Sequence, residues 1–262
     1  MVGAAGMLGR DVVRAAGERA VALPRAELDV TDRAAVRDAL RGATVVNCAA
    51  YTNVDGAETE SEVAHAVNAD GARNVAEAAE RVLYVSTDYV FDGVKRRPYV
   101  ESDATGPLQE YGHSKLAGER ATVDANDNHL VVRSSWLFGA GGRNFVDTML
   151  TLRRDRDELL VVDDQVGSPT FTGHLAEALV ALAGGDERGV LHVAGSGSCS
   201  WFDFARAIFE RSGADADVRP CTTDEFPRPA RRPANSVLAS DRGAPVLPAW
   251  QDGLDAYLGV RA

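Results

Sequence analysis

At 262 residues, 45% hydrophobic and 26% charged, the sequence carries enough apolar material for one large globular domain or two unequal ones, and no apolar run approaches the roughly 18 residues a membrane helix needs. The net charge of −11 argues against nucleic acid or an anionic membrane surface as a partner, but not against a small anion held by backbone N–H groups and a few arginines. Cys48, Cys199 and Cys221 lie far apart without metal-ligand spacing, and no charged-then-apolar leader precedes a cleavage site; both features are expected of a reduced, cytoplasmic protein.

The chain opens MVGAAGMLGRD. Gly3, Gly6 and Gly9 have the spacing of a turn that cradles a dinucleotide pyrophosphate between a strand and a helix. In that reading Gly3 makes the turn, Gly6 lets the phosphates approach the backbone, and Gly9 lets helix and sheet pack closely. Arg10 follows within reach of a phosphate. Only Met1 and Val2 precede the loop, whereas a strand usually runs about 5–6 residues. The expectation is a translation start further upstream. A chain beginning at Met1 would then have a gap in its sheet, exposed edges on both neighbouring strands, low stability and weak cofactor binding.

Short apolar runs predict strands at Ala20–Leu23, Thr44–Asn47, Val82–Ser86 and His129–Ser134. Helical periodicity lies between them at Arg10–Ala16, Arg33–Leu40, Ala57–Glu80 and Tyr111–Asp127. This alternation implies an α/β chain with a parallel, doubly wound sheet, whose ligands bind at the carboxyl ends of the strands. Beyond about Gly139 the pattern loosens, with helices predicted at Phe145–Arg154, Thr172–Ala183 and Trp201–Ser212 and strands at Leu159–Val162 and Val190–Val193. Pro and Arg concentrate in FPRPARRPANS, Phe226–Ser236. The organisation expected is a dinucleotide-binding domain over residues 1–140 and a smaller, interleaved C-terminal lobe, mainly substrate-binding, over 141–262.

YGHSK places Tyr111 and Lys115 one turn apart on one helix face. An ammonium there would stabilise phenolate and lower the tyrosine pKa from about 10, suiting Tyr111 to act as an acid near neutrality. The competing reading is a Tyr stem packed over a surface Lys. Lys115 is one of only two lysines, with Lys95, in an Arg-dominated chain, where Arg would have served for solvation alone. VSTD, Val85–Asp88, puts the Ser86 and Thr87 hydroxyls at a strand's carboxyl end, where a substrate carbonyl needs donors.

Together the glycine loop, the Ser/Thr after a strand and Y-x-x-x-K resemble the extended short-chain dehydrogenase/reductases, and more closely the dTDP-4-dehydrorhamnose reductase family. The resemblance runs nearly end to end. It takes in GAAGMLGRD, AELDVTD (Ala26–Asp32), VVNCAAYTNVDGAE (Val45–Glu58), VNA (Val67–Ala69), STDYVFDG (Ser86–Gly93) and YGHSKLAGE (Tyr111–Glu119). It continues through VVRSSWLFG (Val131–Gly139), NF (Asn144–Phe145), VDDQVGSPT (Val162–Thr170) and RPANSVL (Arg232–Leu238).

The resemblance implies a Rossmann-type fold and NAD(P)H lying across the sheet, with its pyrophosphate on Gly3, Gly6, Met7, Leu8 and Gly9. Asp29 and Val30 would flank the adenine. Cys48, Ala49 and Ala50 would line the dinucleotide, with Tyr51 nearby. Tyr111 would give a proton to the C4 oxygen of a nucleotide-sugar ketone, Lys115 would hold the nicotinamide ribose and depress the Tyr111 pKa, and Thr87 would donate to the carbonyl. Trp136, Asn144, Arg232, Asn235 and Ser236, with Tyr89, would form the nucleotide-sugar side. Arg25, where an acidic residue would favour NAD, points to NADPH, with NADH the alternative. Some family members carry Mg²⁺ and pair as dimers; no metal ligand carries over, and monomer and homodimer both stay open. Asp163, Asp164 and Gln165 read as a structural turn between the lobes rather than a metal cluster, and His113 as exposed.

Rival readings are a 4,6-dehydratase, a 4-epimerase, another 4-ketoreductase, or a non-catalytic regulatory subunit like the family relative that partners methionine adenosyltransferase. A dehydratase should carry Glu two residues after its catalytic Thr, and here Thr87 is followed by Asp88 and Tyr89. Retention of Thr87, Tyr111 and Lys115 speaks for an active enzyme. Which deoxysugar is made depends on how the sugar is held, which spacing does not reveal.

Overall fold

The computed structural model describes residues 1–156 and 158–261. In chain order its strands are β1 (Thr44–Asn47), β2 (Arg81–Thr87), β3 (His129–Ser134), β4 (Leu137–Phe138), β5 (Glu158–Val162), β6 (Val166–Gly167), β7 (Thr170–Phe171), β8 (Gly189–His192), β9 (Cys199–Ser200) and β10 (Asp217–Cys221). The helices are α1 (Met7–Ala16), α2 (Arg33–Leu40), α3 (Ser61–His65), α4 (Gly71–Ala78), α5 (Glu110–Ala125), α6 (Phe145–Asp155), α7 (Thr172–Ala183), α8 (Trp201–Ser212) and α9 (Trp250–Arg261).

The main sheet is parallel, in the order β1-β2-β3-β8. Its strands are apolar on both faces, as a sheet covered by helices on both sides requires. Val46, Leu83, Val85, Leu130, Val132 and Leu191 face one way and pack with Leu8 and Val12 of α1 and Leu175 and Leu179 of α7. Val45 and Val82 face the other way and pack with Val36 and Leu40 of α2 and Val75 of α4. Residues of the second half therefore complete the first sheet. A separate core of Phe138, Val146, Leu159, Phe204, Ile208, Trp250 and Leu254 joins α6, α8 and α9 to β5.

The predicted gap in the sheet is a point of correction. Val2, fully buried, bridges in parallel to Leu23 on one side and Asn47 on the other. Val2 N–H donates to Val46 O at 3.0 Å, Cys48 N–H to Val2 O at 3.0 Å, and Leu23 N–H to Met1 O at 2.9 Å. The Met1 ammonium donates to Val21 O at 2.9 Å. Two residues thus join both neighbours at the end of the sheet that faces the glycine loop. The expected strand Ala20–Leu23 shrinks to the Leu23 bridge, because a ladder extends only as far as its partner does.

Other departures have local causes. The expected helix Ala57–Glu80 is a turn at Gly56–Glu58 followed by helix from Ser61 to Ala78, with a π segment at Ala66–Asp70. Helix α9 lies outside the predicted elements and carries Gly253 and Gly259, residues that weaken a helical pattern. Gly253 instead lets the helix approach Phe171, since a Cβ there would lie 2.9 Å from the Phe171 Cβ. Strand β10 is polar and contains Pro220, and it pairs with β5 alone in a two-stranded sheet.

Candidate active site

The glycine loop sits where the fold places a dinucleotide. Gly3 has φ +76°, and a Cβ there would lie 2.6 Å from Ala49 N, so only glycine lets the loop cross the end of β1. A Cβ on Gly9 would lie 2.2 Å from Gly3 O, which fixes how closely α1 approaches the turn. No side chain caps α1 at Gly6, leaving its positive end open to an anion. A cavity of about 200 Å³ runs from this helix end along Gly3, Gly6, Leu28, Asp29, Val30, Cys48, Ala49, Ala50 and Tyr51, with Arg25 at its rim. These small residues and the open helix end fit a dinucleotide.

Several expected cofactor contacts have other tasks as well. The Leu8 side chain is buried in the core, so only its backbone faces the loop. The Arg10 Nε–H donates to Ala5 O at 2.9 Å, bracing the loop from within. Arg25 is exposed, 3.5 Å from Asp29. The Asp29 carboxyl is held below its usual pKa by the N–H and hydroxyl of Thr31 and the nearby Arg25 charge. Burial pushes the Cys48 thiol up to about 12, so it stays a neutral wall residue.

Tyr111, Lys115 and Glu119 follow one another at four-residue spacing along one face of α5. Lys115 is 2% exposed; its Nζ donates to Val85 O at 2.7 Å and lies 4.0 Å from the Tyr84 ring centroid. Burial lowers its pKa to about 7, with Glu119 and Cys48 opposing. Glu119 is itself buried, paired with Arg133 at 2.7 and 2.9 Å and with the Ser86 hydroxyl at 2.5 Å.

The expected depression of the Tyr111 pKa is reversed. Burial, then the charge of Asp88, pushes the phenol above its ordinary value, and the nearby Thr87 hydroxyl only partly offsets this. Lys115 Nζ instead bonds Val85 O and lies over the Tyr84 face. Tyr111 therefore keeps its proton at neutral pH.

Thr87 and Asp88 close the end of β2. The Thr87 hydroxyl donates to Asp88 Oδ1 at 3.1 Å, and Asp88 Oδ2 is buried without a hydrogen-bond partner. Burial pushes the Asp88 carboxyl up to about 7, with the nearby Ser236 and Thr87 hydroxyls opposing. Tyr89 packs edge-on against Tyr111, with centroids 6.2 Å apart and planes at 84°. Thr87, Tyr89, Tyr111, Lys115 and Ser236 are thus gathered at one place.

Asn144 and Asn235 carry scaffold bonds. Asn144 caps α6 by accepting from Asp147 N–H at 2.9 Å, and its amide donates to Gly139 O, Asp147 and Tyr257. Asn235 donates to Lys95 O at 2.6 Å and accepts from Val237 N–H, tying its loop to the chain at Lys95. Both spend their polar atoms on the fold. Trp136 has φ +47°, a strained backbone for a bulky residue, and its ring lies face to face with Trp201 at 3.4 Å. Asp163 accepts from Ser200, while Asp164 and Gln165 both engage Thr223, as a structural turn would. Among the described residues no three His, Cys, Asp or Glu side chains gather as a metal site.

Four residues escaped the sequence analysis: Asn68, Asp88, Trp201 and Asp55. Asn68, fully buried in the π segment, accepts from Tyr51 N–H at 2.8 Å and donates to Ser114 Oγ at 2.9 Å, joining the loop after β1 to α5. Its signal was VNA. That of Asp88 was its place in STDY.

The RmlD substrate binding domain family matches residues 1–261. The chain is 47% identical over 277 residues to a dTDP-4-dehydrorhamnose reductase of Mycolicibacterium smegmatis, spanning 99% of this chain and 85% of that one. It is 44% identical to a dTDP-4-keto-6-deoxy-D-glucose reductase of Streptomyces niveus, spanning 92% and 88%. The fold superposes on a dTDP-4-dehydrorhamnose reductase of Bacillus anthracis, solved in complex with NADP, with TM-score 0.94, 36% identity, and 100% and 98% coverage. The glycine loop, the strand-end Thr87 and the Tyr111–Lys115 face thus stand in a chain that belongs to the RmlD substrate binding domain family, among the dTDP-4-dehydrorhamnose reductases.

Proposed function

We propose that this protein reduces the C4 ketone of dTDP-4-dehydro-L-rhamnose to the hydroxyl of dTDP-L-rhamnose, using NADPH. The observation that carries the reading is the convergence of Thr87, Tyr111 and Lys115 at the carboxyl end of β2, beside a groove that begins at an uncapped helix end. NADPH supplies the hydride to C4 when bound. The loop Gly3–Gly9 holds its pyrophosphate, Asp29 and Val30 flank its adenine, and Arg25 meets a 2′-phosphate. Lys115 turns from Val85 O toward the nicotinamide ribose. Thr87 donates to the C4 oxygen, and Tyr111, kept protonated by burial, breaks its O–H bond to give that oxygen a proton. Asp88 Oδ2, a buried acceptor without a donor, suits a sugar hydroxyl. The dinucleotide lies on residues 1–140 and the nucleotide sugar mainly on 141–262, against Trp136, Arg232 and Ser236.

The test mixes purified protein with dTDP-4-dehydro-L-rhamnose and NADPH or NADH and follows loss of the reduced cofactor's absorbance. Turnover faster with NADPH is expected; none with either cofactor rejects the reading. The 44% identity to the Streptomyces niveus enzyme favours a second reading, reduction of a D-series 4-keto-6-deoxy sugar. The same assay with dTDP-4-keto-6-deoxy-D-glucose separates the two.

Gly9→Ala tests the loop. The added Cβ meets Gly3 O at 2.2 Å, so backbone must shift, and overpacking of this kind costs about 1–3 kcal/mol. NADPH affinity, measured by fluorescence titration, should fall about tenfold or more. An unchanged affinity would remove Gly9 from the cofactor site.

A further inference from the structure

One ion pair joins the loop after β1 to the Pro-rich segment. Asp55 lies on the loop that leaves β1 after Tyr51, and Arg232 lies 177 residues later in the Pro-rich segment. Arg232 Nη1 donates to Asp55 Oδ1 at 2.5 Å and to Ala230 O at 2.5 Å. Ala230 N–H donates to the same carboxylate oxygen at 3.3 Å, and Arg228 Nε lies 3.9 Å from Asp55 Oδ2. The Arg232 and Asp55 side chains are 15% and 27% exposed, so this is not a surface pair screened by water. Burial works against the charged carboxyl, but the Arg232 and Ala230 hydrogen bonds and the two arginine charges outweigh it and hold Asp55 below its usual pKa.

Arg232 also acts on the reacting side. By charge it opposes the rise that burial and Asp88 impose on the Tyr89 phenol, and Tyr89 packs edge-on against Tyr111. The guanidinium is therefore held by Asp55 and Ala230 O, with its charge felt at Tyr89. Two arginines against one carboxylate leave this cluster a net positive charge. An arginine fixed in this way binds a diphosphate without first losing its rotamer freedom.

We infer that Asp55 is a positioning residue for the substrate: it holds Arg232 at the angle from which the guanidinium meets the nucleotide-sugar diphosphate. The inference rests on the reading of Arg232 as a substrate contact. Asp55 touches no reacting atom, so its loss should appear in KM for the nucleotide sugar rather than in kcat.

The experiment measures kcat and KM for dTDP-4-dehydro-L-rhamnose at saturating NADPH, NADPH affinity, and Tm for Asp55→Asn, Asp55→Glu, Arg232→Ala and the Asp55→Asn/Arg232→Ala double variant. Asp55→Asn should raise KM about tenfold, the scale of one charged hydrogen bond, with NADPH affinity unmoved. Asp55→Glu should return KM to within about threefold of the parent. In the Arg232→Ala background Asp55→Asn should add nothing. The inference is overturned by an unchanged or lower KM in Asp55→Asn, by an equal KM rise in the Arg232→Ala background, or by a joint loss of Tm and NADPH affinity. An unchanged KM in Arg232→Ala overturns the reading of Arg232 itself. A rise there, with none in Asp55→Asn, overturns only the role of Asp55.

Discussion

Tyr111→Phe is expected to lower kcat by about 10²–10⁴-fold, the usual worth of a positioned general acid. The change removes one hydroxyl and leaves the ring, so the edge-on packing with Tyr89 survives. Lys115 loses no partner, because its Nζ is not bonded to the phenol in this structure. NADPH affinity should therefore stay close to that of the parent, and the loss should fall on turnover. Burial and Asp88 hold the proton on the phenol, so the acid form is populated at neutral pH, but they also make it a weaker donor than a phenol of lowered pKa. Stopped turnover with normal cofactor titration is the expected pair of results; near-normal kcat would reject Tyr111 as the acid.

Glu119→Gln carries the largest expected effect on stability. The Glu119 and Arg133 side chains are 4% and 5% exposed, and the pair is bidentate. Removing the carboxylate leaves a buried guanidinium with no counter-charge, which typically costs about 3–5 kcal/mol. For a chain of this size that corresponds to a fall in Tm of roughly 10 °C. The cost should also reach the site. Glu119 lies one turn beyond Lys115 and supports its charged form, and it accepts the Ser86 hydroxyl next to Thr87. Calorimetry of the variant tests this; a fall in stability below about 1 kcal/mol would show that water or His192, 3.3 Å from Arg133, relieves the stranded charge.

Much of the fold was legible because its signals are local. Strands Thr44–Asn47 and His129–Ser134 and helices Arg33–Leu40, Thr172–Ala183 and Trp201–Ser212 form at their predicted bounds, since apolar period and chain length are properties of each segment. Helix α9 and strand β10 were not legible. Gly253 and Pro220 break the local rules there, and contacts with Phe171 and β5 override them.

By itself the sequence determined the βα order, the glycine turn and the placing of Tyr111 and Lys115 on one helix face. Each follows from spacing along the chain and the geometry of one element. Only the tertiary structure decided what those groups experience. It raised the Tyr111 pKa where a neighbouring lysine had promised to lower it, since burial and Asp88 act on the phenol while Lys115 is turned to Val85. It also drew Asn144 and Asn235 into the scaffold and brought Asp55 to Arg232 across 177 residues. Burial and long-range partners set charge and orientation, and neither is written in the spacing of residues.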